Sequence, residues 1–125
     1  NTIQLFEEPS KLKKKIMGIK TDSTPVEEPK AIEGSSILAL YKLVASESDY
    51  QTMVDDHLRG GVGYGDFKKR LLQGVTDYFA PFREKRAEMV ANPKYVDQVL
   101  AEGAEKARLV ARKTLARVRD AVGLG

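Results

Sequence analysis

The chain has 125 residues, a formal net charge of +3, 42% hydrophobic and 31% charged residues, and no cysteine. That is one domain's worth of globular, helix-rich chain, and it excludes a disulfide framework, thiolate chemistry and any cysteine-based metal site. No apolar run approaches the roughly 18 residues that cross a bilayer, and the run 37–44, broken by Lys42, is too short and too late for a signal peptide.

An opening on Asn1-Thr2-Ile3-Gln4-Leu5-Phe6, without a polar lead-in, is expected of the interior of a longer polypeptide. Helix signals begin at Glu7-Glu8-Pro9, with acidic residues suited to the first turn and Pro9 to a first-turn position. This helix is expected to reach about Gly18, burying Leu12, Ile16 and Ile19 and crowding Lys11, Lys13, Lys14 and Lys15 into its later part. Residues 20–34, rich in turn formers and proline, read as a loop.

Ser35-Ser36 starts a second helix whose Ile37, Leu38, Leu40, Tyr41, Leu43 and Val44 are apolar on more than one side, as expected of the central, most buried helix. Ser46-Glu47-Ser48-Asp49 resembles a capping box and predicts a third helix to about Leu58. Four glycines among residues 59–65 predict a turn, after which Asp66 caps a long fourth helix with the stripe Phe67, Leu71, Val75, Tyr78, Phe82 and Met89. Pro81 is expected to kink it.

Asn92-Pro93 combines a capping side chain with a first-position proline and starts a fifth helix. Its apolar residues from Val96 to Val122 recur at spacings of three and four, the periodicity of a core face. Arg108, Arg112, Lys113, Arg117 and Arg119 fall off that stripe, and Gly123 marks the end.

No catalytic constellation is apparent. His57, the single histidine, reads as a solvated or helix-capping side chain, and Asp55 and Asp56 point apart on their helix. Glycines 60, 61, 63 and 65 follow no strand and meet no nucleotide-binding fingerprint. Three basic clusters remain: the lysines at 11–15, Lys68-Lys69-Arg70, and the arginines of the last helix. Each is either a solvated face or a polyanion contact. In Lys20-Thr21-Asp22-Ser23, an exposed carboxylate can accept a hydrogen bond from the exocyclic amine of cytosine in a single-stranded RNA loop. A carboxylate capping its own turn reads equally well there.

The run Tyr95-Val96-Asp97-Gln98-Val99-Leu100-Ala101-Glu102-Gly103-Ala104-Glu105-Lys106-Ala107, with its L-x-E-G-A-x-K-A core, resembles the C-terminal helix of bacterial tryptophanyl-tRNA synthetases. Gly63-Tyr64-Gly65-Asp66-Phe67-Lys68 ahead of the Pro81 helix, Lys14-Lys15-Ile16 leading to Thr21-Asp22-Ser23, and Val122-Gly123-Leu124 are similar to the same enzymes in the same order. The E-G-A-x-K-A pattern disfavours a tyrosyl-type relative.

The resemblance implies an all-α bundle of about five helices with a short N-terminal attachment segment, and a start just after the KMSKS loop. Residues 1–22 would then be the post-KMSKS segment and linking helix, and 23–125 the helical anticodon-binding domain. It also implies a cytoplasmic parent that attaches tryptophan to its tRNA using ATP and Mg2+, homodimeric through a catalytic domain whose HIGH-like and KMSKS motifs this chain lacks. The chain alone would hold no cofactor and have no activation activity. Its partners would be the tRNA(Trp) anticodon loop and the catalytic domain of the same polypeptide, with no membrane. Thr21 and Asp22 match the loop that contributes to reading the cytosine-rich tryptophan anticodon, with Lys20, Arg108, Arg112, Lys113 and Arg117 on the RNA backbone. The alternative is a non-catalytic helical protein-interaction module with solvated basic faces.

Overall fold

The computed structural model describes residues 2–124. Among them lie five helices and no strand: α1 (Pro9–Met17), α2 (Ser36–Tyr41), α3 (Glu47–Arg59), α4 (Tyr64–Ala91) and α5 (Pro93–Ala121). The expected all-α architecture is therefore present. The chain divides into two compact units, one ending at Arg83 and the other starting at Glu84. That boundary falls inside α4, just beyond Pro81, through which the helix continues without interruption.

In the first unit, Pro9 occupies the start of α1, where its fixed φ costs nothing. The acidic residues precede the first turn rather than occupying it: Glu8 is the N-cap, and Glu7 accepts from Lys15 Nζ at 2.9 Å. Leu12 and Ile16, one turn apart, enter the core, while Ile19 packs at its margin.

α2 is only six residues long, capped by Ser35 Oγ accepting from the Leu38 N–H at 3.3 Å. It is not the central helix that its composition suggests. Ile37 and Leu38 are buried, but Leu43 is 71% exposed. After Tyr41 the chain tightens into turns in which the Tyr41 carbonyl accepts from both Val44 and Ala45, so residues 42–44 leave the helical face. α3 starts as expected: Ser46 Oγ accepts from the Asp49 N–H at 3.1 Å and donates to Asp49 Oδ2 at 2.6 Å.

The central role belongs to α4, whose Phe67, Leu71 and Val75 meet Leu12, Ile16, Ile37, Leu38 and Met53 in one cluster. α4 begins earlier than expected. The Gly63 carbonyl accepts from Asp66 and Phe67, so Asp66 lies inside the first turn instead of capping it. The glycine turn is thus shorter, because Tyr64 and Gly65 are already helical. Farther along, a Cβ at Gly74 would stand 3.0 Å from Tyr41 Cε2, so the missing side chain lets the Tyr41 ring approach α4. The predicted stripe is buried only to Val75; Tyr78, Phe82 and Met89 are exposed.

The second unit contains the end of α4 and α5. Asn92 Oδ1 accepts from the Tyr95 N–H at 3.3 Å, the predicted cap. At the other end, Leu124 N–H donates to Arg119 O at 2.8 Å and Gly123 N–H to Asp120 O at 3.2 Å, with Gly123 at φ +75°. This paired closure requires the left-handed conformation that glycine adopts without penalty. α5 buries none of its residues, and Leu100, Val110 and Val122 are each more than 60% exposed. The expectation that its stripe is ordinary core fails. Periodicity specifies an apolar face but not the surface that covers it.

Candidate nucleic-acid interface

The loop between α1 and α2 is built around a buried cation. Lys30 is 2% exposed, and its ammonium donates to the carbonyls of Pro25 at 3.0 Å, Val26 at 3.2 Å and Glu28 at 3.0 Å. Those bonds use all three ammonium donors. Its backbone N–H donates to His57 O at 2.7 Å, and its Nζ stands 5.6 Å from the Tyr64 ring centroid. Gly61 N–H donates to Val26 O at 2.8 Å. The loop is therefore pinned to the end of α3 and the start of α4.

Asp22 stands on this pinned loop. Its Oδ1 accepts from the Thr24 N–H at 3.0 Å, so the turn-capping role is real. A carboxylate offers about four lone-pair sites, so the side chain remains an acceptor after making that bond. The Thr24 N–H, then the Thr24 and Tyr64 hydroxyls, hold the Asp22 carboxyl below the usual carboxylate range. Burial, and then Asp22 itself, push the Tyr64 phenol up. Asp22 is thus an exposed anion that caps its own turn and shares a cavity lining with Tyr64.

Lys20, Thr21 and Asp22 line a cavity of about 200 Å³ together with Ser35, Ser36, Ile37 and Tyr64. This is smaller than the ~300–1,000 Å³ of sites that enclose a small molecule. Its scale suits contact with one edge of a planar group. The structure brings these three predicted residues together and adds Tyr64 and Ser36, which sequence reasoning missed. Tyr64 lies between two glycines and reads as part of a turn.

The predicted basic residues sort differently. Arg108, Arg112, Lys113 and Arg117 are exposed on α5, Arg108 within 3.6 Å of Glu105, and none lines the cavity. The Lys68-Lys69-Arg70 cluster is occupied within the first unit. Lys68 donates to Met17 O at 3.2 Å, Lys69 pairs with Asp66 at 2.9 Å and Arg70 with Asp56 at 2.6 Å. Lys15 likewise serves Glu7 and the Thr2 carbonyl.

His57 contradicts the reading of a solvated side chain. It is fully buried, its ring 3.8 Å from that of Phe67, with Nδ1 2.8 Å from Met53 O. Asp55 and Asp56 do point apart: Asp55 accepts from Gln51 in solvent, whereas Asp56 is buried between Arg59 and Arg70. Among the described residues no group of three His, Asp or Glu side chains is placed to hold a metal ion. The glycine turn is filled by the loop backbone, because a Cβ at Gly60 would meet Glu27 O at 2.4 Å.

No family model matches the chain. It is 42% identical over 124 residues to the tryptophan–tRNA ligase of Rhodopirellula baltica, covering 99% of this chain and 39% of that protein. The tryptophan–tRNA ligase of Fusobacterium nucleatum is 41% identical over 124 residues, with 99% and 38% covered. The fold matches the crystal structure of the Campylobacter jejuni tryptophanyl-tRNA synthetase complexed with ADP and tryptophan at a TM-score of 0.90 and 38% identity, covering 99% of this chain and 39% of that one. The chain thus spans about two fifths of the length of these relatives.

In sequence and fold the chain is similar to a helical portion of aminoacyl-tRNA synthetases. In particular, it is similar in sequence and fold to the C-terminal part of tryptophanyl-tRNA synthetases. A helical protein-interaction module is not favoured.

Proposed function

We propose that this chain is the anticodon-binding part of a tryptophan–tRNA ligase, and that Asp22 reads a cytosine of the tryptophan anticodon. The observation that carries the reading is the exposed Asp22 carboxylate, bonded to the Thr24 N–H and lining the cavity shared with Lys20, Thr21 and Tyr64. Such an acceptor pairs with the exocyclic amine of cytosine and repels the O4 acceptor of uracil. Lys20 and the exposed Arg108, Arg112, Lys113 and Arg117 supply phosphate contacts, which give affinity without sequence information. Residues 1–22 link the helical part, 23–125, to the catalytic domain of the same polypeptide. The whole protein, a cytoplasmic homodimer, attaches tryptophan to its tRNA with consumption of ATP and the help of Mg2+, and this segment alone does not activate tryptophan.

The test is a titration of the chain with an RNA hairpin carrying the tryptophan anticodon loop, and with a hairpin whose anticodon cytosines are replaced by uracil. Hydrogen bonds to charged groups contribute ~1.5–3 kcal/mol, so the cytosine loop should bind about tenfold tighter or better. Asp22→Ala should bring the two loops together. Equal binding of both loops by the unaltered chain overturns the reading.

A further inference from the structure

We infer that His57 is an acid-sensitive latch for the loop that carries Asp22: a second proton on its ring frees the last turn of α3 together with residues 20–30, while the core around α4 stays closed. The consequence for RNA rests on the anticodon reading; the release of the loop does not.

The packing leaves that proton without a place. His57 is fully buried, and its Nδ1 is 2.8 Å from the Met53 carbonyl. Nε2 is buried as well and has no hydrogen-bond partner among the described residues. A proton there creates a buried cation with an unpaired donor, a costlier state than a neutral ring with an unpaired acceptor. The ring stacks on Phe67 at 3.8 Å, and the Arg70 guanidinium already stands 5.8 Å from that same Phe67 ring. The charged groups that act on the imidazole are Lys30 from the loop, Asp56 beside it on α3 and Arg70 from α4. Lys30 and Arg70 repel a second proton, and Asp56 is already bonded to both Arg59 and Arg70. The buried core residues of α1 and α2, Leu12, Ile16, Ile37 and Leu38, hold no compensating charge.

Relief comes at the end of a helix. His57 lies two residues before the last residue of α3, Arg59, and helix ends open at a lower free energy than packed interiors. The loop is fastened to this end. Lys30 N–H donates to His57 O at 2.7 Å and Gly61 N–H to Val26 O at 2.8 Å. The Gly60 backbone lies so close to the loop that a Cβ on it would stand 2.4 Å from the Glu27 carbonyl oxygen. Turning the charged ring out to water unwinds the residues that make these contacts, and the loop loses its anchors with them. The rest of the unit has its own supports: the Ser46 cap at the far end of α3, and the packing of Phe67, Leu71 and Val75 on Leu12, Ile16, Ile37 and Leu38. Burial makes the closed ring bind the proton more weakly than the opened one, so falling pH drives the opening.

Amide exchange in the RNA-free chain tests this from about pH 7.5 to about pH 5.5, across the ordinary histidine value. After correction for the intrinsic pH dependence of exchange, protection of Lys30 and Gly61 should fall about tenfold for each pH unit below about 6.5, the response to one proton. Their opening should depend only weakly on urea, because little surface is exposed, whereas that of Leu71 and Val75 should show the steep dependence of global unfolding. His57→Phe and His57→Gln both remove the titrating group, and in both the pH slope at Lys30 and Gly61 should vanish. A urea dependence at Lys30 and Gly61 as steep as at Leu71 overturns the latch, and so does a pH slope that is absent from the unaltered chain or survives in both variants. The cytosine hairpin separates this result from the anticodon reading. Bound to the closed loop, it should raise the protection of Lys30 and Gly61. If the pH slope is present and the saturating hairpin leaves that protection unmoved, the latch stands and the anticodon reading fails.

Discussion

The imidazole of His57 stacks on the ring of Phe67 at a centroid distance of 3.8 Å and an interplanar angle of 27°, and both side chains are fully buried. Nδ1 lies 2.8 Å from the Met53 carbonyl, so it carries the proton of the neutral ring, while Nε2 has no hydrogen-bond partner among the described residues. The ring therefore behaves as a flat core residue, joining α3 to α4 below the loop that carries Asp22. Through its own carbonyl, His57 also receives the Lys30 N–H.

This arrangement makes stability depend on pH in a defined window. Burial is the largest influence on His57 and pushes its pKa below the ordinary value of 6.5; the Met53 carbonyl and Asp56 oppose this, while Lys30 and Arg70 reinforce it. The folded state thus binds the proton more weakly than the unfolded state. The stabilisation is complete above the unfolded pKa and is lost as pH falls below about 6.5 and through the folded value. Thermal midpoints should be flat between pH 7 and 8 and decline from pH 6.5 towards 5. His57→Gln should be less stable at neutral pH but should lose that decline. An equally steep decline in His57→Gln would show that another group is responsible.

Asp56 gives a second, lower window and an asymmetric mutational response. Its carboxylate is 7% exposed and binds Arg70, whose side chain is 41% exposed, and Arg59, at 70%. Arg70 is the largest influence holding the Asp56 pKa below 3.8. Its contribution is present above that value and lost as pH falls through the folded pKa. Breaking a fully buried pair costs ~3–5 kcal/mol, but both arginines reach solvent, so Asp56→Ala should cost about 2 kcal/mol. For a unit of this size that lowers the thermal midpoint by about 10 °C. Arg70→Met should cost more than Arg59→Met, and the latter less than about 0.5 kcal/mol. Calorimetry of the three variants decides whether that order holds.

What the sequence made legible was local. The caps at Ser35, Ser46 and Asn92 and the glycine closure at Gly123 all appear where short-range chemistry predicts them. Positions decided by long-range packing were not legible. Nothing near His57 signals that it will lie on Phe67, across the glycine turn. Nothing in a loop holding Pro25, Glu28 and Pro29 signals that Lys30 will be buried among its carbonyls. The same limit misassigned the second half of the α4 stripe and all of α5, where an apolar period was visible and its cover was not. At the candidate site, Lys20, Thr21 and Asp22 were legible because they are contiguous. Tyr64 was not, because it reaches the site from the start of α4, with α2 and α3 between it and the loop in sequence.

Removing the Lys30 ammonium should loosen the loop without unfolding the unit. Lys30→Met keeps the stem but leaves three carbonyls, those of Pro25, Val26 and Glu28, without their shared donor. Unsatisfied groups cost ~1–3 kcal/mol each when buried, but Pro25, Val26 and Glu28 are exposed residues, so water replaces part of the loss. Amide exchange should accelerate at Thr24, Glu28 and Gly61, while the amides of Leu71 and Val75 in α4 remain protected. Uniform acceleration across both groups would mean that Lys30 supports the whole core.

Neutralising the arginines of α5 should act on RNA affinity alone. Arg112→Gln and Arg117→Gln remove exposed charges that line no part of the Asp22 cavity. If these side chains neutralise phosphates, both hairpins should weaken alike, and the slope of log affinity against log salt should flatten by ~0.7 for each arginine removed from a single strand. Fluorescence titrations between low and moderate salt measure both quantities. An unchanged slope in the double variant would remove α5 from the interface.

The two glycines after α3 should differ sharply in tolerance. Gly60 and Gly61 both have positive φ, +76° and +81°. Alanine at Gly61 meets no atom within 4 Å, so its cost is the left-handed backbone alone, ~1–2 kcal/mol. Alanine at Gly60, whose φ of +76° and ψ of −175° fall in a region essentially confined to glycine, carries a backbone penalty of its own and also places its Cβ 2.4 Å from the Glu27 carbonyl oxygen and 3.0 Å from the Glu28 carbonyl carbon. Both obstacles are backbone of the loop that Lys30 pins, so they cannot rotate aside as a side chain would. Gly60→Ala should therefore cost at least ~1 kcal/mol more than Gly61→Ala by strain in a packed site. It should also displace residues 25–28, visible as chemical-shift changes at Val26 and Lys30 that Gly61→Ala does not produce. Equal destabilisation by the two substitutions would mean that the loop is free to move away from the turn, and that the anchoring of Asp22 is weaker than the hydrogen bonds of Lys30 imply.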